Sequence, residues 1–245
     1  MTDAVRAADH DSAGHESADH DSAGRNTADH VAALTRTDDP DHLRRRFAGG
    51  VLRGKDDAMM QRILAAAVEA FAEKGFNGTN IRDIGARGGM SSGSLYNHFD
   101  SKADILATIM LRGITNLVSL SERALSQAGD DPGAQLDALV EVHVGLHAAY
   151  PRESAIGNAE LHNLDPGARS AIVDYRDRQE RLFLTAIRAG VEQRAFTTDE
   201  PREAARFVIV ACTGIARWFR AGQGTSVDTI IRTYQKLARS TVGER

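Results

Sequence analysis

Apolar residues recur at helical spacing along most of this chain, and that spacing constrains the fold more than any other feature. From residue 56 onwards, apolar side chains return every three or four positions, and no stretch shows the alternation of a half-buried strand. The first such stripe combines Ile63, Leu64, Ala67, Val68 and Phe71. The sequence therefore predicts an all-α protein.

The predicted helices fall into two groups. Gly75 and the Gly88-Gly89 pair separate the first three, of which the second and third are short. Residues suited to cap the helices that follow are Asn80, Ser91 and Ser101. A long fourth helix runs to about Gln127, where AGDDPG interrupts the pattern. Further amphipathic segments are predicted at 134–149, 152–163, 167–194, 200–221 and 226–240. This pattern indicates a three-helix unit, 56–103, followed by a larger bundle, 104–245.

The first 55 residues have a different composition. ADHDSAG occurs at 8–14 and again at 18–24, and residues 1–30 carry seven acidic residues and two arginines. Because almost nothing there is apolar, this tail is predicted to be disordered. Residues 41–55 are basic instead, with a Gly-Gly hinge and five cations, Arg44, Arg45, Arg46, Arg53 and Lys55. This basic arm is either a solvated linker or a segment that follows DNA phosphates.

Composition also limits the compartment. The one cysteine, Cys212, cannot form an internal disulfide, which suits a reducing environment. No apolar run approaches the ~20 residues of a membrane span, and the polar N-terminus is not a secretory signal. We expect a soluble, cytoplasmic protein.

The stretch SSGSLYNHF, residues 91–99, has many hydrogen-bonding side chains for so short a segment. Leu95 and Phe99 are four apart and would anchor a short helix on Ile63, Phe71 and Ile84, leaving the other side chains outside. Two short helices joined by a glycine turn form a helix-turn-helix, whose second helix lies in the DNA major groove. A helical hairpin with no DNA role remains the alternative on spacing alone.

Residues 63–106 resemble the DNA-binding domain of the TetR family of transcriptional regulators. The matching motifs are ILxAAxxxFAEKGF, TxIRDI, a Gly-Met-Ser turn, SLYxHF and the Ser-Lys pair that opens the fourth helix. The resemblance implies an all-α homodimer that binds a palindromic operator, usually represses, and is released by a small ligand in its C-terminal bundle. It also implies the DNA contacts, which are Thr79, Arg82, Ser92, Ser94, Tyr96, Asn97, His98 and Lys102.

Two positions depart from the family pattern. Gly85 and Gly88 stand where the family usually has alanine. Each glycine inside a helix costs about 1 kcal/mol relative to alanine. A less rigid helix is therefore expected just before the turn.

The C-terminal part carries a weaker resemblance. GIARWFRAGQGTSVDTIIRTYQKLA, 214–238, and DYRDRQERLFLTAIRAGVEQRAF, 174–196, are similar to a subgroup of actinobacterial regulators of fatty-acid and steroid-ring breakdown, although Ala221 replaces a proline. Several members of that subgroup respond to acyl-CoA thioesters. The resemblance implies no cofactor, only a small-molecule effector.

One helix face is compatible with such a thioester. Ile209, Thr213 and Arg217 are spaced i, i+4 and i+8 in the segment predicted as one helix, so the face is apolar at one end and cationic at the other. Trp218 and Arg220 follow and complete the predicted ligand set, with the arginines suited to phosphate. The alternative, that Trp218 packs in a dimer interface and the arginines pair with acids, stays open. The last two helices, 200–221 and 226–240, are expected to form that interface with their copies.

Two rival functions remain. His143 and His147 are i and i+4 on one helix and could serve a metal-responsive sensor or hydrolase, but HVGLH lacks the glutamate of the HExxH motif. An all-α ligand-binding protein or enzyme without a DNA role is the second. No nucleophile and base pattern supports an enzyme, and Cys212 is expected in the core.

Overall fold

The computed structural model describes residues 39–47 and 58–244, and within those ranges every regular element is helical. The α-helices are α1 Pro40–Arg46, α2 Ala58–Lys74, α3 Ile81–Gly88, α4 Ser92–Tyr96, α5 Lys102–Ala128, α6 Pro132–Ala149, α7 Pro151–Ala159, α8 Pro166–Glu192, α9 Pro201–Thr213, α10 Ile215–Trp218 and α11 Val227–Val242. A 3-10 turn, Leu161–Asn163, joins α7 to α8. The predicted all-α class is confirmed.

The three residues predicted as helix caps occupy the N-cap positions of α3, α4 and α5. Asn80 accepts a hydrogen bond from the Asp83 amide, and the Asp83 carboxylate accepts one from the Asn80 amide, which makes a capping box at α3. Ser91 and Ser101 accept from the amides three residues later and cap α4 and α5. These side chains satisfy amides that the first helical turn leaves without a partner.

Two hydrophobic cores share helix α5. The first half of α5, including Ile105 and Leu106, packs with α2, α3 and α4 in one core. Leu117, farther along α5, lies in the core of the bundle. Ile156 of α7 and Ile172 of α8 also belong to the first core, so helices of the bundle pack against the helix-turn-helix. The two parts of the fold are therefore coupled through shared side chains.

Helix α5 is long and apolar enough to cross a membrane when judged by length and composition alone. Apolar residues of α5 contribute to both hydrophobic cores. Of the apolar window of α5, 33% is buried inside the structure.

Part of the basic arm folds back onto the bundle. Leu43 and Phe47 are buried in the bundle core, and the Tyr150 hydroxyl donates to the carbonyl of Arg44 at 3.1 Å. Arg46 forms ion pairs with Glu141 and Asp228. Residues 40–46 are thus a docked helix and not a solvated linker. Arg53, Lys55, the Gly-Gly hinge and the repeat-containing tail lie outside the described residues.

The predicted continuous helix over 200–221 is wrong. Helix α9 ends at Thr213, and α10 is a single turn that stops at Trp218. Gly214 is a weak helix former, and Phe219 leaves the helix in an extended conformation to enter the bundle core. Burial of that aromatic ring outweighs the continuation of the helix.

Candidate nucleic-acid interface and ligand cavity

Helices α3 and α4 form the predicted helix-turn-helix. Leu95 and Phe99 are buried against the same core as Ile63, Phe71 and Ile84, as the spacing predicted. The remaining side chains of the stretch lie outside, and Tyr96 is 56% exposed. Because the anchors hold α4 by one face only, the opposite face is free to meet a partner.

The turn between α3 and α4 is tight. The Met90 amide donates to the Gly85 carbonyl at 2.8 Å, and Gly89 adopts the left-handed conformation with φ 64°. A Cβ atom at position 85 would lie 2.8 Å from the Met90 carbonyl oxygen, which is closer than real Cβ contacts allow. The returning chain therefore occupies the space that a side chain at position 85 would need.

Six of the eight predicted DNA contacts lie on the outer face of this unit. Arg82, Tyr96 and Asn97 are exposed, and Ser92, Ser94 and His98 are partly exposed. No ion pair joins Arg82 to any other described residue, whereas neighbouring Arg87 pairs with Glu69 and Glu73. The guanidinium of Arg82 thus remains available to an external anion.

Thr79 and Lys102 have internal partners instead. Thr79 is 2% exposed, and its hydroxyl lies 3.1 Å from the Ala70 carbonyl and 2.8 Å from the Gly75 carbonyl. The Lys102 ammonium donates to the carbonyls of Phe76 and Thr79, both at 2.6 Å. It also lies 4.1 Å from the centre of the Phe76 ring, within the range of a cation–π contact. Thr79 bonds the loop before α3 to α2, and Lys102 bonds the same loop to α5, so both side chains stabilise the fold.

A cavity of about 320 Å³ lies between α5, α6, α7, α8 and α9. Apolar residues of α5, such as Ile114 and Leu117, form one wall. The exposed residues Asn158, Asp177 and Arg206 also line it, so the cavity reaches the surface. Its volume is at the lower end of the range of about 300–1,000 Å³ that is usual for small-molecule sites.

The cavity contains part of the predicted ligand set. Ile209 and Thr213 line it, as the helical face suggested. Arg217, Trp218 and Arg220 do not, because α9 ends before them; Trp218 is 53% exposed. Arg220 donates to the carbonyls of Phe219 and Arg217. The structure therefore separates the apolar and cationic halves of the predicted site.

Sequence reasoning missed most of the polar wall. Asn116 of α5, Arg176 and Gln179 of α8 all line the cavity. Arg176 donates to the Gly157 carbonyl at 2.6 Å, has no acidic partner within 4.0 Å among the described residues, and burial lowers the pKa of its guanidinium. No local motif marks these positions, because separate helices bring them to one space.

Comparison with known proteins identifies the architecture. Residues 63–109 match the bacterial regulatory proteins of the tetR family, and residues 129–242 match the tetracyclin repressor-like C-terminal domain. The HTH-type transcriptional repressor KstR2 of Rhodococcus jostii (strain RHA1) is 33% identical over 177 residues, which cover 71% of this chain and 86% of that repressor. This chain belongs to the tetR family. The resemblance stated from the sequence is confirmed.

Two solved structures share the TetR-family fold. The ketosteroid transcriptional regulator KstR2 of Mycobacterium tuberculosis superposes with a TM-score of 0.73 at 22% identity, covering 79% of this chain and all of that one. AibR, solved in complex with isovaleryl coenzyme A and operator DNA, superposes with a TM-score of 0.68 at 19% identity, covering 76% and 100%. At these identities the likeness is one of fold.

In this TetR-family bundle, the histidine pair belongs to the cavity wall. The rings of His143 and His147 stack with centroids 4.6 Å apart. Nδ1 of His147 donates to the His143 carbonyl at 2.8 Å, and Nε2 of His143 lies 2.9 Å from the Thr213 hydroxyl. Among residues 39–47 and 58–244 there is no group of three potential metal ligands. The geometry gives these histidines hydrogen-bonding and packing roles.

Cys212 lies in the bundle core of this regulator, as expected. Burial raises the pKa of its thiol to about 12, so it stays protonated at neutral pH. A buried neutral thiol is not a nucleophile. The relatives named above are transcriptional regulators.

Proposed function

We propose that this TetR-family protein is a cytoplasmic transcriptional repressor, which binds a palindromic operator through α4 and leaves it when an acyl-CoA thioester enters the cavity. The observation that carries this proposal is helix α5. Its residues Ile109 and Met110 belong to the core of the helix-turn-helix, and both also line the cavity. A ligand in the cavity therefore touches the same side chains that support the DNA-binding unit.

The outer face of α4 supplies the proposed DNA contacts. Tyr96 and His98 offer hydrogen bonds to phosphates, and Arg82 adds an unpaired cation. Asn97, exposed at the end of α4, has the amide needed to bind a base edge in the major groove. Ser92 and Ser94 complete the set. Thr79 and Lys102 are left out, since they bond within the protein.

The effector class rests on the cavity and on the relatives. A mainly apolar wall on α5 suits an acyl group. Arg176, which has no acidic partner in the described part of the chain, provides a cation for a carbonyl or phosphate oxygen. AibR, which has the same fold, was solved with isovaleryl coenzyme A. The volume of about 320 Å³ suits the acyl part of a thioester, with the rest of the coenzyme reaching out past Asp177 and Arg206.

Release follows if the ligand binds one tilt of α5 better than the other. A ligand shifts a conformational equilibrium only by its difference in affinity for the two states. Filling the cavity beside Gly113 and Ile114 pushes on the middle of α5, while Ile105 and Leu106 hold its start in the DNA-binding core. The tilt then changes the separation of the two α4 helices of a dimer.

The dimer is proposed to form through the last helices. Phe207 and Val210 of α9, Trp218 of α10 and Leu237 of α11 are large apolar side chains that are more than half exposed. Such side chains on neighbouring helices are typical of an interface. Val210 also lines the cavity, so the proposed interface and the effector site are adjacent.

The test is a fluorescence anisotropy titration of the full chain against the DNA immediately upstream of its own gene. We expect tight binding that weakens at higher salt, because phosphate contacts release counterions. A panel of acyl-CoA thioesters should abolish it, and free coenzyme A serves as the control. Binding that no thioester reduces would contradict the effector class, and absence of specific binding to any operator fragment would contradict the repressor.

A further inference from the structure

Three residues in the wall of the cavity each have a buried polar atom without a hydrogen-bond partner. His143 is 2% exposed and Gln179 is 3% exposed, and the Nδ1 atom of His143 and the Oε1 atom of Gln179 have no hydrogen-bond partner. Nδ2 of Asn116 is the third such atom. All three residues line the cavity, and within the described part of the chain no other buried side-chain nitrogen or oxygen lacks a partner. The presence of all three such atoms in one wall distinguishes it from the rest of residues 39–47 and 58–244.

Each of the two buried side chains is fixed at its other end. Nε2 of Gln179 donates to the hydroxyl of Ser121 at 3.0 Å. This bond orients the amide and leaves its Oε1 atom without a partner. The His143 ring is held by Thr213 and by its stack on His147. If the Gln179 amide were turned over, its nitrogen would be the remaining atom, so one unpaired polar atom is left in either orientation.

The three residues come from different helices, α5, α6 and α8, and they line the cavity together with the apolar residues Ile114 and Leu117. A purely hydrocarbon ligand would exclude water and leave all three polar atoms without partners, which costs free energy. A ligand with a neutral oxygen can accept from the Asn116 amide, and a hydroxyl can also donate to Gln179. A site built to bond such an oxygen rejects the analogue that lacks it.

We propose that Asn116, His143 and Gln179 form a polar subsite that recognises a ketone or hydroxyl oxygen on the buried part of the effector. The subsite selects oxygenated acyl groups over hydrocarbon groups of the same shape. This inference rests on the proposed function, since it takes the cavity to be the effector site, and it adds the chemical class of the acyl group.

Three matched probes test it by isothermal titration of the full chain. They are the CoA thioesters of cyclohexanecarboxylic acid, 4-oxocyclohexanecarboxylic acid and trans-4-hydroxycyclohexanecarboxylic acid. We expect the oxo or the hydroxy thioester to bind at least tenfold more tightly than the unsubstituted one. Equal or weaker binding of both oxygenated probes would overturn the subsite while leaving the effector cavity in place.

Variants of the cavity wall test which residues cause the preference for oxygenated thioesters. Asn116→Leu removes an amide nitrogen that has no hydrogen bond to lose, and Gln179→Met combined with Ser121→Ala removes a buried hydrogen-bonded pair together. Both should reduce the tenfold preference to less than threefold and keep the affinity for the unsubstituted thioester. Ser154→Ala, a polar truncation elsewhere in the cavity wall, should keep the preference and is the control. Retention of the preference in both test variants would overturn the assignment.

The free acids separate this inference from the proposed effector class. If the oxo or hydroxy acid binds and its thioester does not, the acyl-CoA proposal fails and the subsite stands. If neither the acids nor the thioesters bind, both fail. Thermal stabilisation of the same protein provides a second readout for the weak acids.

Discussion

The ring of Phe47 occupies the space that a side chain on Gly145 would need. A Cβ atom at position 145 would overlap three atoms of that ring, so the absence of a side chain on α6 lets α1 dock. The two residues are 98 positions apart, and Gly145 is within one turn of His143 and Leu146, which line the cavity. The segment that precedes the DNA-binding unit is thereby packed against the wall of the cavity.

Gly145→Ala should destabilise the protein by about 1–3 kcal/mol, the usual cost of overpacking a core. In a Phe47→Ala background the cost should disappear, and the better helix propensity of alanine should emerge instead. Urea denaturation of the two single variants and the double variant measures the coupling. Gly113→Ala is the control, because a Cβ there meets nothing within 4 Å. Additive effects at 47 and 145 would show that the contact is not made in solution.

Gly85→Ala should weaken DNA binding by disturbing the turn before α4. The new Cβ would lie 2.8 Å from the Met90 carbonyl, which is backbone and cannot rotate away. Gly88→Ala is the matched comparison, because its nearest obstacle is the flexible end of the Met90 side chain. We expect at least a tenfold loss of operator affinity for the first variant and less than threefold for the second, measured by anisotropy. Equal effects would mean that the turn is not held as described.

Local features of the helix-turn-helix were predictable from sequence, and long-range features were not. The anchors Leu95 and Phe99 and the caps Asn80 and Ser91 follow from spacing and side-chain chemistry within one or two turns. The docking of α1 depends on a glycine about a hundred residues away. No local pattern contains that information.

The ligand site shows the same division. Ile209 and Thr213 were predicted because they share one face of α9. The extension of that face to Arg217 failed because α9 ends at Thr213, and Arg217 lies in the separate turn α10. The polar residues Asn116 and Gln179 carry no motif, so only the assembled bundle brings them together.

Acid should destabilise the fold through the histidine pair. Burial lowers the pKa of His147 to about 4, and burial and the neighbouring His147 lower the pKa of His143 well below its usual value. As the pH falls below about 6.5, the unfolded chain binds protons that the folded chain does not, so stability is lost until the folded pKa is reached. For His147 alone the loss approaches about 3 kcal/mol, because each pH unit between the unfolded and the folded pKa removes about 1.36 kcal/mol.

Glu153 opposes this trend, which provides a comparison of opposite sign. Burial raises the pKa of its carboxyl, so the folded state takes up that proton first as the pH falls. His147→Phe should flatten the dependence of stability on pH between 6.5 and 4, and Glu153→Gln should steepen it. Denaturant midpoints across that range measure both slopes. A His147→Phe slope equal to that of the unmodified protein would mean that the imidazole is solvated.

Replacing Arg176 and Arg217 one at a time tests whether the effector binds in the cavity or at the ligand residues predicted from the sequence. Arg176→Met should raise the concentration of an active acyl-CoA that is needed for half release of the operator by about 10–100-fold. The reason is that a charge-assisted hydrogen bond contributes about 1.5–3 kcal/mol. Arg217→Met removes the same charge outside the cavity and should leave release unchanged. The concentration of thioester for half release is the readout. The reverse result would restore Arg217 as the effector contact.

Substitutions at Tyr96 and Asn97 should have different effects, one on overall affinity for DNA and the other on discrimination between DNA sequences. Tyr96→Phe removes a hydroxyl proposed to bond a phosphate, so it should weaken binding similarly on the operator and on its single-base variants. Asn97→Ala should instead reduce discrimination at one base pair of each half-site, by about 1–3 kcal/mol. Both side chains are exposed, so neither change should alter the free energy of unfolding by more than about 0.5 kcal/mol. Anisotropy titrations against a set of single-base operator variants measure both effects. If Asn97→Ala weakens binding to every variant equally, its amide binds phosphate and not a base edge, which contradicts the contact proposed for Asn97.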